Sequence, residues 1–301
     1  MKKIPIIIDT DPGIDDALAL MMVYKYSHLF DLKLITVSSG NTPIDVTTRN
    51  AQFFADKYFN GVRLSQGQGK PLLKSNKDNA EDVHGVNGLG NFVISDQNYP
   101  YENNAVESLK DVLQSSKEKV VIIAVAPLTN IAGLLLKYPE VKDKIESIYA
   151  MIGSINGLGN IKPYAEFNAY YDPEAFKIVA ESGVPMVINP LETSHYAQVE
   201  KKIIAQIDAK NEHHKMIKEM VDGLYEFRNP DKITLFDVNS VYALIKPDMY
   251  EFQSCDIDIT ASGEYDGKCV LTPNENSIHK YYVIKNADEC NNSILNDLFS
   301  I

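Results

Sequence analysis

Short apolar runs rich in β-branched residues alternate along this chain with longer stretches whose apolar residues recur at helical spacing. Five of the apolar runs are predicted strands: residues 4–8, 32–38, 120–126, 148–152 and 185–189. Uninterrupted apolar runs are typical of parallel strands that are covered on both faces. The intervening predicted helices are residues 15–26, 45–58, 105–115, 129–137 and 173–182. This repetition predicts an α/β fold with a mostly parallel, Rossmann-like central sheet and helices on both faces.

The pattern changes after Glu192. Three helical segments are predicted there, at residues 199–211, 214–227 and 237–245, followed by a small hairpin in "DIDITASGEYDGKCVL". Residues 67–100 are rich in Asn, Gly, Asp and Lys and show little periodicity, and loops of this length are typically functional or mobile. Because the sequence contains no internal repeat, we expect residues 1–301 to form a single α/β domain.

Charge and cysteine content narrow the classes of partner. A net charge of -12 disfavours nucleic-acid polymers and anionic membranes, so a small neutral or cationic ligand is expected. The three cysteines are widely spaced and form no metal-binding motif, which is typical of reduced thiols in a cytoplasmic protein. No apolar run reaches the length of a membrane span, and the first run is too short for a signal-peptide core.

Polar residues follow the predicted strands, and ligands bind at the carboxyl ends of strands in open α/β sheets. The first strand runs into "DTDPGIDD", in which Pro12 and Gly13 predict a tight turn before a helix. Asp11 and Asp16 can then face one point, and paired carboxylates suit Ca²⁺ or Mg²⁺. The alternative is a helix cap with solvated acids in the first helical turn. A D-x-D-G-T phosphatase motif is disfavoured because the Gly-Thr half is missing.

Several further strings belong to the same strand ends. "SSGN" follows the second strand, "VAPLTN" the third, and "MIGSINGLGN" with "AEFNAYYDPEA" the fourth. Together with "DTDPGIDDALAL", "TTRNA", "VHGVNGLG" and "APLTNIA", they resemble the inosine–uridine preferring nucleoside hydrolase family in order and spacing. The hairpin around "GEYDGKCV" also fits, so the resemblance covers essentially the whole chain. It implies hydrolysis of ribonucleosides to ribose and free base, and assembly as a homodimer or homotetramer.

The resemblance also implies a Ca²⁺ ion. Its ligands would be the carboxylates of Asp11, Asp16 and Asp237 and the main-chain carbonyl of Val125, where many members have Thr. The ion would hold a water and the ribose 2′- and 3′-hydroxyls. Asp11 would accept the proton of that water as the general base.

Ribose-binding positions follow from the same resemblance. They are Asp15, Asn41, Asn160, Glu166 and Asn168, with Met151 lining the same wall. Their carboxylates and amides can donate to or accept from sugar hydroxyls. Alternatively, Asn41 and Asn160 are turn residues that follow glycines, and Glu166 and Asn168 cap the helix beginning near Pro173.

Phe236 departs from the family pattern. Many members have a His at this position that protonates the leaving base, which a phenylalanine cannot do. Purine-specific relatives carry an aromatic residue there that stacks on the base, so we expect purine ribonucleosides to be favoured and Phe236 to line the base pocket. Core packing at a helix start is the alternative.

The remaining candidates lie on the base side. His84 would be the acid, a stacking partner or an incidental loop residue, whereas His195 is interpreted as structural. Tyr225, Phe227 and Arg228 would close over the base or simply end a helix.

Two alternative functions stay open. One is a broad or pyrimidine-preferring hydrolase that uses His84 or a loop residue as its acid. The other is a non-catalytic calcium- and ribose-binding protein, and steady release of free base from inosine distinguishes it from an enzyme.

Overall fold

The computed structural model describes residues 2–73, 79–227 and 231–301, without the side chains of Tyr225 and Phe227. Its strands are β1 (Ile4–Thr10), β2 (Phe30–Val37), β3 (Arg63–Gln66), β4 (Val120–Ala124), β5 (Ile145–Met151), β6 (Met186–Asn189), β7 (Gln198–Glu200), β8 (Lys232–Thr234), β9 (Tyr250–Ile259), β10 (Cys269–Pro273) and β11 (Lys280–Ile284). Its α-helices are α1 (Ile14–Lys25), α2 (Ile44–Tyr58), α3 (Glu81–His84), α4 (Ala105–Ser115), α5 (Thr129–Lys137), α6 (Phe167–Tyr171), α7 (Pro173–Glu181), α8 (Leu191–Tyr196), α9 (Lys201–Gln206), α10 (Glu212–Phe227), α11 (Phe236–Ile245) and α12 (Ala287–Leu298). Short 3₁₀ helices span Pro139–Lys144 and Pro247–Met249.

The central sheet has the strand order β10-β9-β11-β6-β5-β4-β1-β2-β3. All neighbours from β3 to β11 pair in parallel, whereas β9 pairs antiparallel with both β11 and β10. The prediction of a mostly parallel α/β sheet is therefore confirmed, and so is the hairpin, which β9 and β10 form. A separate antiparallel ribbon of β7 and β8 lies outside this sheet.

Both faces of the sheet are buried. Side chains alternate across a strand, and along β1 Ile6 and Ile8 pack into one apolar cluster whereas Ile7 packs into the other. The first cluster includes Leu18 of α1, and the second includes Ile131 of α5. Burial on both faces explains why the central strands have uninterrupted apolar sequences.

The predicted helix at residues 199–211 is wrong in its bounds. Val199 is buried in β7, where it pairs with Ile233 of β8, and the helix α9 is limited to Lys201–Gln206. The next helix, α10, starts at Glu212, where Asn211 Oδ1 accepts a hydrogen bond from the His214 N–H at 2.8 Å. The spacing of apolar residues at 199–207 is helical, but pairing with a distant strand overrides this local preference.

The long segment at residues 67–100 contains, in its described parts, the short helix α3. Within the described ranges, no helix combines the length and apolarity needed to cross a membrane. The carboxyl ends of β1, β2, β4, β5 and β6 lie along one edge of the sheet, since these strands are parallel. This edge carries most of the residues that the sequence identified as candidate ligands.

Candidate functional site

A cavity of about 300 Å³ lies at this edge of the sheet. The predicted site residues that line it are Asp15, Asn41, His84, Val125, Met151, Asn160, Glu166, Asn168, Phe236 and Asp237. Asp11 and Asp16 are fully buried and are linked to the lining by hydrogen bonds through Asn41. The structure therefore brings these predicted site residues into one region, although they come from widely separated parts of the chain.

Asp16 organises the turn between β1 and α1. Its Oδ1 accepts hydrogen bonds from Thr10 Oγ1 at 2.6 Å and from the Asp11 N–H at 3.1 Å. Its Oδ2 accepts one from the Gly13 N–H at 3.1 Å, so the carboxylate caps the start of α1. These three hydrogen bonds fix the position of the Asp16 carboxylate.

Asn41 joins two of the carboxylates. Its N–H donates to Asp11 Oδ2 at 2.7 Å, and its Nδ2 donates to Asp16 Oδ2 at 2.8 Å. The preceding residue must be small, because a Cβ on Gly40 would lie 2.0 Å from Asp11 Oδ2. In the string "SSGN", Gly40 thus lets the backbone approach the Asp11 carboxylate closely, and Asn41 binds the carboxylates of Asp11 and Asp16.

Four carboxylates form the floor of the site. Carboxylate oxygens of Asp15, Asp16 and Asp237 lie within 4.8 Å of one another. Asp11 Oδ1 and Asp15 Oδ1 are buried and have no hydrogen-bond partner among the described residues. Burial raises the pKa of Asp11 and of Asp237 well above the usual range, and the charges of neighbouring carboxylates raise both pKa values further. Burial raises the pKa of Asp15 to about 6.

This floor fits a hard cation. Buried carboxylates are stable when they are paired or coordinate a metal, and two oxygens here lack a partner. All-oxygen donor sets suit Ca²⁺ or Mg²⁺. The most compact group of oxygens contains Asp15 in addition to the predicted Asp16 and Asp237, whereas Asp11 lies outside that group. The carbonyl of Val125 faces the amide of Asn168, whose Nδ2 lies 3.4 Å from it.

The wall beside β5 depends on Glu166. Its Oε1 accepts from the Asn168 N–H at 2.8 Å, and its Oε2 accepts from Gly153 N–H at 2.9 Å and Ala169 N–H at 3.0 Å. Glu166 caps α6, so the helix it caps begins at Phe167 rather than near Pro173. Burial raises the pKa of Glu166 to about 7.

The two Asn residues of this wall are held by the main chain. Asn168 Nδ2 donates to the Met151 carbonyl at 2.9 Å. Asn160 Oδ1 accepts from the Phe167 N–H at 2.9 Å, which ties the glycine-rich loop to α6. The cap that holds α7 is Asp172, whose Oδ1 accepts from the Ala175 N–H at 3.0 Å. The wall therefore presents preset amide and carboxylate groups to the cavity.

Phe236 and His195 form an aromatic side of the cavity. Phe236 is the first residue of α11, and its ring lies 5.6 Å from the His195 ring, at an interplanar angle of 64°. Both residues line the cavity. The interpretation of His195 as structural therefore misses its place in the site. The strand-end rule could have found it, because α8 directly follows β6.

His84 is buried rather than solvated. Its Nδ1 accepts a hydrogen bond from the Ile14 N–H at 3.1 Å and lies 3.8 Å from Asp15 Oδ1. A ring that accepts at Nδ1 carries its proton on Nε2 when it is neutral. The predicted lid residues Tyr225, Phe227 and Arg228 lie outside the described side chains.

The sequence analysis missed the contribution of the β7–β8 ribbon. Gln198, Lys232, Ile233 and Thr234 line the cavity, and Gln198 Nε2 donates to Thr234 Oγ1 at 3.3 Å. Neither strand was predicted, because residues 199–211 read as a helix and strands of three residues carry little periodicity.

The sequence is similar to those of known nucleoside hydrolases. A family model described as inosine-uridine preferring nucleoside hydrolase matches residues 6–296. The non-specific ribonucleoside hydrolase RihC of Salmonella paratyphi A is 35% identical over 261 residues, which cover 86% of this chain and 85% of the relative.

Solved structures share the fold. A purine-preferring ribonucleoside hydrolase from Gardnerella vaginalis superposes with a TM-score of 0.89 at 24% identity, covering 98% of both chains. An inosine-uridine preferring nucleoside hydrolase from Bacillus anthracis has a TM-score of 0.81 at 19% identity, covering 99% of this chain and 100% of the other.

Proposed function

Because this chain belongs to the inosine–uridine preferring nucleoside hydrolase family, it is an N-glycosidase of nucleosides, and we propose that it hydrolyses free ribonucleosides to ribose and base, with purine ribonucleosides preferred. One observation carries this proposal: a cavity of about 300 Å³ combines a floor of buried carboxylates, an amide-rich wall and an aromatic side. Those three surfaces match a water and diol, a sugar, and a base, respectively.

We propose that the floor holds a calcium ion. The ligands would be the carboxylates of Asp11, Asp16 and Asp237 and the carbonyl of Val125, with Asp15 close enough to contribute charge. The unpartnered oxygens of Asp11 and Asp15 support this proposal. When bound, the ion supplies positive charge that holds a water and the ribose diol.

Asp11 is the proposed general base. The N–H of Asn41 fixes the carboxylate of Asp11 through its Oδ2, and the fixed carboxylate would take a proton from the attacking water. As the bond between C1′ and the base nitrogen breaks, its electron pair moves to the base, and the sugar becomes oxocarbenium-like. The water oxygen then bonds to C1′.

The sugar is proposed to lie between the floor and the wall. Asp15 lines the cavity from the floor, and Asn160, Glu166 and Asn168 line it from the wall. Their carboxylate and amide groups can pair with several hydroxyls at once. Hydrogen bonds to the main chain fix Glu166 and Asn168. These side chains therefore lose little conformational entropy when a ribose binds.

Phe236 is proposed to contact the base. Aromatic contact with a base contributes roughly 1–3 kcal/mol in single-strand binding, and a purine offers more ring area than a pyrimidine. Replacing Phe236 by Ala is therefore expected to lower kcat/KM for inosine about 5- to 160-fold, and to lower it less for uridine. The measurement is kcat/KM for inosine, adenosine, guanosine, uridine and cytidine with both proteins. An unchanged inosine-to-uridine ratio would contradict a base contact, and thermal unfolding of the variant separates that outcome from a loss of folding.

Broad base specificity is the second candidate. The relative that is 35% identical is named a non-specific ribonucleoside hydrolase, and the polar side chains of Gln198 and Thr234 line the cavity beside Phe236. Similar kcat/KM values across the five nucleosides would favour this candidate. The cytoplasmic location, the homodimer or homotetramer and the single domain stay predictions, the last supported by the continuous nine-stranded sheet of the described residues.

A further inference from the structure

His195 occupies a position that the chemistry of the site requires. It lies on α8, which follows the carboxyl end of β6, and it lines the cavity beside Phe236. The residue is exposed, so solvent can reach it. Its contact with Phe236 is edge-to-face, an arrangement that aromatic rings favour and that limits the orientations of the imidazole.

A leaving base needs a proton as its bond to C1′ breaks. The side chain of Phe236 cannot supply one. The amide of Gln198 and the hydroxyl of Thr234 line the same side, but neither group is an effective acid near neutral pH. Histidine is the side chain whose ordinary titration range suits proton transfer at neutral pH.

The other histidine of the cavity lies beside the carboxylate floor. His84 is buried, and its Nδ1 accepts the Ile14 N–H at the start of α1, next to Asp15. This bond places the ring over the carboxylate floor, where it braces the turn that carries Asp15. His195, in contrast, contacts the aromatic side on which the base is proposed to lie.

We propose that His195 is the proton donor to the leaving base. This inference rests on the proposed function. A ring N–H of the His195 imidazolium gives its proton to a base nitrogen while the electron pair of the glycosidic bond moves onto the base. The base leaves neutral and the attacking water loses its proton to Asp11. Asp11 then releases that proton to solvent, and solvent returns a proton to His195. The contact with Phe236 orients the imidazole of His195. His195 then protonates the base, and Phe236 contacts it.

The test compares leaving groups. Inosine needs protonation of its base, whereas p-nitrophenyl β-D-ribofuranoside releases a phenolate that is stable without a proton. His195→Gln is expected to lower kcat for inosine by about 10²–10⁴-fold and to change the nitrophenyl riboside rate little. His195→Phe keeps a ring against Phe236 and is expected to show the same selective loss. His28→Gln is the matched control, because His28 lies in the turn before β2, at the opposite edge of the sheet.

Each outcome has a distinct meaning. An equal loss on both substrates would overturn the proposal, since it would mark His195 as a packing residue. The proposal also fails if His84→Gln or Lys232→Met shows the leaving-group-selective loss and His195→Gln does not. If the wild-type protein cleaves neither substrate, the proposed function itself fails. Nitrophenyl riboside activity also reports that each variant is folded.

Discussion

Replacing Asp11 by Asn is expected to lower kcat for inosine by about 10²–10⁴-fold, the range that a general base supplies. The substitution is nearly isosteric, and an amide oxygen can still accept the Asn41 N–H that now binds Asp11 Oδ2 at 2.7 Å. The variant should therefore fold. Because burial and the charge of Asp16 raise the pKa of Asp11, the neutral amide also relieves charge repulsion in the metal-free protein.

Asp9→Asn is the matched control for this experiment. Asp9 is a buried carboxyl of β1, two residues before Asp11, and burial raises its pKa to about 6. Its Oδ1 accepts from Thr36 Oγ1 at 2.5 Å and from Asn130 Nδ2 at 2.8 Å, and the residue does not line the cavity. Steady-state kinetics of both variants, with thermal unfolding as the check on folding, complete the measurement. An Asp11→Asn protein with a near-normal rate would remove Asp11 as the base.

Inosine is expected to exceed 2′-deoxyinosine in kcat/KM by about 10⁴-fold, the discrimination reached by sites that are built to bond a hydroxyl. Asp15 in the floor and Asn168 in the wall are both buried, so they lose a partner and regain little water when the hydroxyl is missing. Competition between the two nucleosides in one reaction measures the ratio directly.

The Asp15→Asn variant sharpens this prediction. An amide in place of the carboxylate weakens hydrogen bonding to the diol, so the rate for inosine should fall and the ratio of the two substrates should narrow. Equal rates for inosine and 2′-deoxyinosine in the wild-type protein would contradict recognition through the diol.

The central strands and the β1–α1 turn could be predicted because local signals agree there. Ile6, Ile7 and Ile8 form an uninterrupted apolar run, and Pro12 and Gly13 end it at a turn. Burial on both faces then follows from the fold class. The strand-end rule also identified Asn41, although its bonds to Asp11 and Asp16 depend on two strands meeting and could not be inferred from either one.

The base side of the site was harder to predict, since it depends on contacts between distant residues. β7 and β8 pair residues that are more than thirty positions apart, and each strand is three residues long. Such short strands carry too little periodicity to compete with the helical spacing around Val199. The place of His195 beside Phe236 depends on the packing of α8 against α11, which no local motif records.

Turnover of inosine by metal-stripped and calcium-reconstituted protein tests the central claim most directly. The measurement follows free hypoxanthine and ribose by chromatography in phosphate-free buffer, with enzyme well below the substrate concentration. We expect steady formation of the two products in equal amounts with Ca²⁺, and almost none after chelation, because the buried carboxylates of the floor then repel one another. Binding of inosine without release of hypoxanthine, or an undiminished rate in the stripped protein, would contradict a calcium-dependent ribonucleoside hydrolase.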